Sequence, residues 1–280
     1  MVKKILGFTL GVLVLLFGIL LYSRFLGTIG LKTNEILVSV DIPDSYEGLK
    51  IVHFSDLHYK KVITKERVEN LVEEINRLKP DLVLFTGDLV DGDSELENQD
   101  INFLIEVFSK IESKYGNYAV LGDQDESHLD IVKNIYIQSN FILLENDYAV
   151  IHNENNDQLF IGGIDAATDE ENLEFITNYF ATNEEVTFKI MLAHEPDVLE
   201  DVLETMPSTS LFLAGHSLNG SVNVPGIKKL LLPNGAKRYY EPHYRIGNTE
   251  VYISNGIGVN RINFRLWNTP SINFYRIEKQ

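Results

Sequence analysis

Four short segments place carboxylates and imidazoles in one recurring context. FSDLHY holds Asp56 and His58, FTGDLVD holds Asp88 behind Gly87, LAHEPD holds His194, and AGHSLNG holds His216. Each follows a run rich in Val, Ile, Leu or Phe that reads as a strand. In open α/β sheets, the C-terminal edges of such strands are where ligands bind. Oxygen and imidazole donors converging from several strand ends suit a first-row divalent metal. Taken singly, each segment has an ordinary reading: a loop carboxylate beside a surface histidine, a Gly-Asp turn, or a hydrogen-bonded histidine at a strand end. Their shared context is hard to produce by chance and predicts a metal centre. A fifth segment, LGDQDE from Leu121 to Glu126, closes the apolar run NYAV with Asp123 and Gln124. It raises the question whether these two hold a metal and a substrate, or stand where better residues are missing.

The elements that must position these groups are legible from hydrophobic period. EILVSVDI, LKIVHFSD, PDLVLFTGD, GNYAVLGD, QLFIGGID, FKIMLAHE, SLFLAGHS, EVYISNGIG and SINFYRI predict strands. In TKERVENLVEEINRLKP, Val68, Leu71, Val72, Ile75 and Leu78 repeat at helical spacing, with Thr64 as cap and Pro80 ending the run. DINFLIEVFSKIES, HLDIVKNIYIQS, ENLEFITNYF and DVLEDVLETM are further helix candidates. Strands alternating with helices and ending in a strand-rich portion indicate a layered α/β domain. No linker or internal repeat interrupts Glu35 to Gln280, so residues 33–280 are expected to form one domain behind an N-terminal segment, 1–32.

Composition narrows the function. The 280 residues are 44% hydrophobic and 23% charged, as in a globular protein. A net charge of −17 argues against a nucleic-acid partner, whose phosphates need Lys and Arg to displace their counterions. An anionic phosphate substrate would have to be drawn in locally, as by a metal ion. No cysteine is present, which excludes disulfides and thiolate ligands. From Ile5 to Tyr22 the chain is apolar and uncharged, behind Lys3 and Lys4. At 1.5 Å per residue this spans roughly 27 Å, close to the hydrocarbon thickness of a bilayer. A core helix would show a polar face, and a cleaved signal peptide a shorter apolar region with an A-x-A site. The stretch therefore reads as a membrane anchor, and Lys3, Lys4 and the terminal amine, slightly outweighing Arg24 and Lys32, favour a domain outside the cytoplasm.

The order D-x-H, G-D-x-x-D, G-N-H-D/E, H-x-P-D and G-H-x-H, each after a strand, resembles that of the calcineurin-like metallophosphoesterases. It is similar in particular to their small, membrane-associated bacterial branch. The likeness runs from about Ile42 to the C-terminal strand and includes VYISNGIG…NFRLWNTPSI. It implies a four-layer α/β/β/α sandwich with one or two divalent ions (Mn, Zn or Fe) between the sheets. It also implies hydrolysis of a phosphate monoester or diester by a metal-bridging hydroxide, with a histidine assisting the leaving group. By this resemblance Asp56 and His58 match ligands of the first metal, Asp88 the carboxylate shared by both, and His194 and His216 ligands of the second. Asp123 stands for a ligating asparagine and Gln124 for the histidine near the leaving group. Asp88, Asp123 and Gln124 would thus face the reaction.

Two motifs depart from the family pattern. Gly122-Asp123-Gln124-Asp125 replaces G-N-H-D/E, and Gly215-His216-Ser217-Leu218 replaces G-H-x-H. Asp123 can ligate, but its added charge lowers a metal's power to acidify water and attract phosphate. Leu218 donates nothing, which leaves three protein ligands for the first metal, unless Asn219 substitutes through its amide oxygen. Gln124 cannot deliver a proton, although it can hydrogen-bond a phosphoryl oxygen. The expected protein is an extracytoplasmic, membrane-anchored phosphoesterase with a weakened dinuclear site acting on an envelope- or membrane-derived ester. A binding or scaffolding protein on the same fold is the alternative. His53 reads as an interior histidine, and His128 and His152 as surface ones. NGAKRYYEPHYR reads as an ordinary solvated loop.

Overall fold

The computed structural model describes residues 2–165, 173–174, 177–179, 186–224, 226, 228–259 and 263–280. Its strands form two six-stranded sheets. The first has the order β1 (Lys32–Val40), β12 (Ser271–Lys279), β2 (Lys50–Phe54), β3 (Leu82–Phe85), β4 (Asn117–Ala119), β5 (Phe141–Leu143). The second has the order β10 (His243–Ile246), β11 (Thr249–Ile253), β9 (Leu211–Ala214), β8 (Phe188–Ala193), β7 (Gln158–Ile164), β6 (Asp147–His152). All nine strands expected from the sequence are present. The additional three, β5, β6 and β10, are edge strands.

Side chains alternate across a strand, and here both faces of the inner strands are apolar. Ile51, Leu82 and Leu84 join Ile190, Leu192, Leu211 and Leu213 in the cluster between the sheets. Their neighbours Val52, Phe54, Val83 and Phe85 face the other way. They pack against α2 (Lys65–Leu78), α3 (Asn98–Phe108) and α4 (Leu129–Gln138), through residues such as Leu71, Phe108 and Ile135. Met191 and Phe212 of the second sheet pack outward on Leu199 and Val202 of α5 (Leu199–Thr205). The layers are therefore helix, sheet, sheet, helix, as the resemblance implied. Thr64 caps α2 by accepting from Arg67 N. Half of the expected helix ENLEFITNYF lies outside the described residues.

The N-terminal α1 (Val2–Leu21) runs into a wider helical turn, Tyr22–Leu26. Val2–Leu26 is long and apolar enough to cross a membrane, and none of α1 is buried against the domain. This excludes a core helix. The helix end is nevertheless fixed to the domain. Arg265 N donates to Ser23 O at 3.0 Å, and Arg67 Nη2 donates to Thr28 O at 2.7 Å.

β2, β3 and β4 run parallel, as do β8 and β9, so their C-terminal loops gather on common edges. One buried side chain ties two of these loops, those after β3 and β4. Asp125 Oδ2 accepts from Asp88 N at 2.9 Å and Gly122 N at 3.0 Å, while Oδ1 accepts from Leu89 N at 2.9 Å and Val90 N at 3.3 Å. Replacing Asp125 by Ala leaves several buried donors without an acceptor at once, which should cost about 3 kcal/mol or more. For a chain of this size that corresponds to a Tm lower by roughly 6–12 °C. Thermal unfolding of the full chain in detergent checks this, and a shift under about 3 °C would show that the carboxylate is not the tether.

Candidate metal centre

The loops after β2, β3, β4, β8 and β9 bring all six expected ligands together. Asp88, Asp123, His194 and His216 place donor atoms within 4.8 Å of one another, and Asp56, His58 and Asp88 form a second such group. Asp88 belongs to both. Its Oδ2 lies 3.4 Å from His58 Nε2 and 3.3 Å from His194 Nε2. Asp123 Oδ1 lies 3.2 Å from His194 Nε2 and 3.1 Å from His216 Nδ1. Asp56 Oδ1 is 3.9 Å from His58 Nε2. Every member is buried except Asp123, which is partly exposed.

The backbone reaches this arrangement by leaving the strands sharply. Asp56, His58, Asp88 and His216 all have left-handed backbones, with φ of 53°, 46°, 59° and 62°. Such non-glycine conformations are uncommon and gather at functional sites. Two glycines permit the close approach of the loops. A Cβ on Gly122 would overlap Asp88 Oδ1, and one on Gly215 would overlap Ser55 Oγ. Across the two sheets, His216 N donates to Asp56 Oδ2 at 3.1 Å.

Backbone carbonyls orient the imidazoles of His194 and His216. His194 Nδ1 donates to Thr86 O at 2.6 Å, which frees Nε2, and His216 Nε2 donates to Asn234 O at 2.6 Å, which frees Nδ1. The freed nitrogens face Asp123 and each other, 3.1 Å apart. A carbonyl on the far ring nitrogen is the usual arrangement behind a metal-ligating histidine. His58 has no such carbonyl: its Nδ1 is buried without a hydrogen-bond partner among the described residues, 3.8 Å from Asp91 Oδ2, which is bridged to Lys61 at 2.7 Å.

The donor set fits a divalent cation. Asp56 Oδ1, His58 Nε2 and Asp88 Oδ2 are buried with no hydrogen-bond partner among the described residues. Buried polar atoms are rarely left so. Burial resists a charge on Asp88, yet His194 and His58 outweigh it and hold the carboxyl below its usual range. Burial likewise resists a charge on His194, but Asp88 and the bond to Asp123 raise its pKa well above the ordinary imidazole value. The carboxylates thus hold protons on their neighbours, and a dication supplies the same neutralisation by displacing them. Mn²⁺, Zn²⁺ and Fe²⁺ all accept such nitrogen and oxygen donors.

The departing residues are placed as follows. Gln124 N donates to Asp88 Oδ1 at 2.9 Å, and its side-chain Nε2 donates to Asp123 Oδ2 at 2.8 Å. Leu218 is buried, with its Cδ2 against Gly256 beside Asp56 and its carbonyl accepting from Asn268 Nδ2. Asn219 is buried in the same turn, and its Oδ1 has no hydrogen-bond partner among the described residues. Sequence reasoning gave no role to Asp125, Asp91 or Arg265, although each lies inside a quoted motif. Arg265 is wholly buried and donates to Gly258 O and Asn268 O; burial pushes its pKa down to about 9, so it stays charged near Asp56. His53 is interior as expected, between Thr86 Oγ1 and Tyr275 OH. His152 is exposed, but His128 is only partly so, with its Nε2 buried. In the loop NGAKRYYEPHYR, Asn234 reaches the centre through its carbonyl, while Arg238 is engaged by Glu200 and Arg245 by Glu250.

The calcineurin-like phosphoesterase family profile matches residues 49–239, which include all six donor residues. The uncharacterized metallophosphoesterase YkuE of Bacillus subtilis is 26% identical over 263 residues, covering 92% of this chain and 89% of its own. A second Bacillus subtilis protein, the uncharacterized metallophosphoesterase YkoQ, is 26% identical over 283 residues, covering 96% and 98%. A Bos taurus transmembrane protein with metallophosphoesterase domain is 25% identical over 246 residues, 82% of this chain but 53% of that one. Since the profile spans more than half the chain and encloses every donor of the centre, the chain belongs to the calcineurin-like phosphoesterase family.

Proposed function

We propose that this family member is a membrane-anchored, metal-dependent hydrolase of phosphate esters whose two metal positions differ in strength. The observation that supports it is the pair of buried donor groups sharing Asp88, with its Oδ2 facing His58 on one side and His194 on the other. Asp88, Asp123, His194 and His216 would hold one ion, and Asp56, His58 and Asp88 the other. Bound ions supply Lewis acidity toward a phosphoryl oxygen and lower the pKa of water. The chain's own contribution is geometric and electrostatic. Gln124 N holds Asp88 Oδ1 and so aims Oδ2 at the two histidines. Asp123 adds a carboxylate to the stronger position and weakens its pull on an anionic ester. The Gln124 amide restrains Asp123 and offers no proton to a departing group. Leu218 gives the weaker position hydrocarbon beside Asp56.

The apolar α1 and the similarity to a transmembrane protein with metallophosphoesterase domain support the anchor. Lys3 and Lys4 favour a cytoplasmic N-terminus and an external domain. Gln124 and Leu218 also favour a second reading, a binding or scaffolding protein that keeps the fold without turnover.

Three outcomes are expected. In intact cells the domain should be digested by added protease, with the full chain in the membrane fraction; a protected domain or a soluble full-length chain would remove the anchored, outward reading. Elemental analysis after gel filtration should give nearer one ion than two per chain, and Leu218→His should raise it. Two tightly held ions in the parent would mean that another donor replaces Leu218. Lastly, a positioned general acid contributes about 10²–10⁴-fold where the leaving group must be protonated. Aryl phosphate esters should therefore be cleaved measurably and alkyl ones very slowly, and at matched metal content Gln124→His should raise mainly the alkyl rate. Absence of turnover in both the parent and Gln124→His/Leu218→His, with metal bound, would favour the scaffold.

A further inference from the structure

A cavity of about 560 Å³ lies between the end of α1 and the loop carrying His216. That volume is ordinary for a small-molecule pocket, roughly 300–1,000 Å³. Ile19, Leu20 and Ser23 form one side, Leu231, Leu232 and Leu266 line another, and Leu218 and His216 also border it. Two of its three serine hydroxyls are engaged locally. Ser23 Oγ donates to Ile19 O at 2.7 Å, and Ser217 Oγ accepts from Asn219 N at 3.1 Å. What faces the interior is therefore chiefly hydrocarbon.

The cavity is a built part of the fold. The bonds from Arg265 N to Ser23 O and from Arg67 Nη2 to Thr28 O fix the helix end, and Gly27 packs so closely that a Cβ there would overlap Arg265 O. Around the same end the surface is apolar. Phe25, Leu26, Ile29, Leu230 and Trp267 are between 58% and 80% exposed. Apolar side chains in such number beside a membrane-length helix, with a tryptophan among them, suit the headgroup boundary of a bilayer.

We propose that this cavity receives an acyl tail of a membrane phospholipid whose phosphate is presented to the centre at His216. The proposal rests on the anchored-hydrolase reading and narrows its substrate class to lipid phosphate esters. A tail passing from bilayer hydrocarbon into an apolar cavity gives up little, because its surroundings remain apolar. The anchor holds the cavity at the depth where such tails are found. Leu218 belongs to both places: it borders the cavity and lies beside Asp56. Hydrocarbon at this position, where the family motif has histidine, is what a tail-binding wall requires.

The test uses the full chain in phosphatidylcholine vesicles containing a few per cent of phosphatidic acid with a diazirine in its acyl chain. After illumination, peptides are mapped by mass spectrometry. Label is expected on the segments 216–233 and 263–266 as well as on α1, and excess unlabelled long-chain phosphatidic acid should remove it from the loops while glycerol 3-phosphate should not. Leu231 is 41% exposed and so tolerates a polar replacement; Leu231→Asp should lower loop labelling about tenfold and leave the label on α1. A second measurement uses monomeric short-chain alkyl phosphates as competitors, whose potency should rise about fourfold per added methylene until the cavity is filled. Label confined to α1, or loop label indifferent to competitor and to Leu231→Asp, overturns the proposal. Turnover of aryl phosphates without loop labelling also overturns it while leaving the hydrolase reading intact. Loop labelling without any turnover supports the lipid site and counts against the hydrolase.

Discussion

The architecture turns on one buried carboxylate. Asp88 is fully buried, and an ionised carboxylate taken out of water must be neutralised and hydrogen-bonded or it cannot stay ionised. Its Oδ1 accepts from Gln124 N, while its Oδ2 is left to His58 on one side and His194 on the other. That division makes Asp88 the hinge between two donor groups instead of a member of one. The two sheets have to meet edge to edge at this atom, since His58 comes from the first sheet and His194 from the second. The apolar layer of Ile51, Leu84, Ile190 and Leu213 between them sets how close they come.

Holding the centre in this form costs backbone energy. A left-handed residue with a side chain is disfavoured by roughly 1–2 kcal/mol. Asp56, His58, Asp88 and His216 together therefore store an amount comparable to a sizeable part of a domain's net stability, about 5–15 kcal/mol. Such strain persists only where surrounding structure over-determines it. Asp125 does this for the β3 and β4 loops by collecting four backbone N–H groups, and Asp56 Oδ2 does it across the sheets by accepting from His216 N. The glycines at 122 and 215 clear the space through which these bonds are made. The candidate ligands and their locks are thus one interlocked set.

Inner strands and candidate ligands were legible in the sequence because both obey short-range rules. LVLF and LFLA are continuous apolar runs because both faces of those strands are covered, and each candidate ligand sits one to four residues past its strand. The edge strands obeyed a different rule. β5 has only three residues, and β10 exposes His243 and Arg245, as edges that resist pairing with other chains do. The apolar run of β5 is too short to announce a strand, and β10 has none. Asp125 was visible as a motif letter, but its role depends on donors 35 to 37 residues away in the chain, which no local pattern encodes. Arg265 shows the same limit, since a buried arginine bonded to carbonyls is invisible until the loops that bury it are in place. His128 was misplaced for the converse reason: a polar residue in a polar stretch gave no sign that the short turn Asp125–His128 would tuck its Nε2 inside.

On the proposed reading, the two departures from the family motifs are parts of one electrostatic change. Asp123 adds a charge to the position already holding Asp88, so two carboxylates there balance a single dication. The other position shares Asp88, has Asp56 as its own carboxylate, and loses a ligand to Leu218. It is not left without positive charge, because the buried Arg265 guanidinium lies near Asp56 and is held toward its charged form by it, although burial still pushes the Asp56 carboxyl above its usual range. A second dication would then enter a half-site whose carboxylate already has a cationic neighbour and whose wall is hydrocarbon. Like charges in a low-dielectric interior repel strongly, so its affinity falls on both counts. Leucine and arginine together turn a metal position into one that tolerates having no metal. The apolar wall this creates faces the membrane-proximal cavity, which ties the weakening of one ion site to the company the domain keeps at the end of its helix.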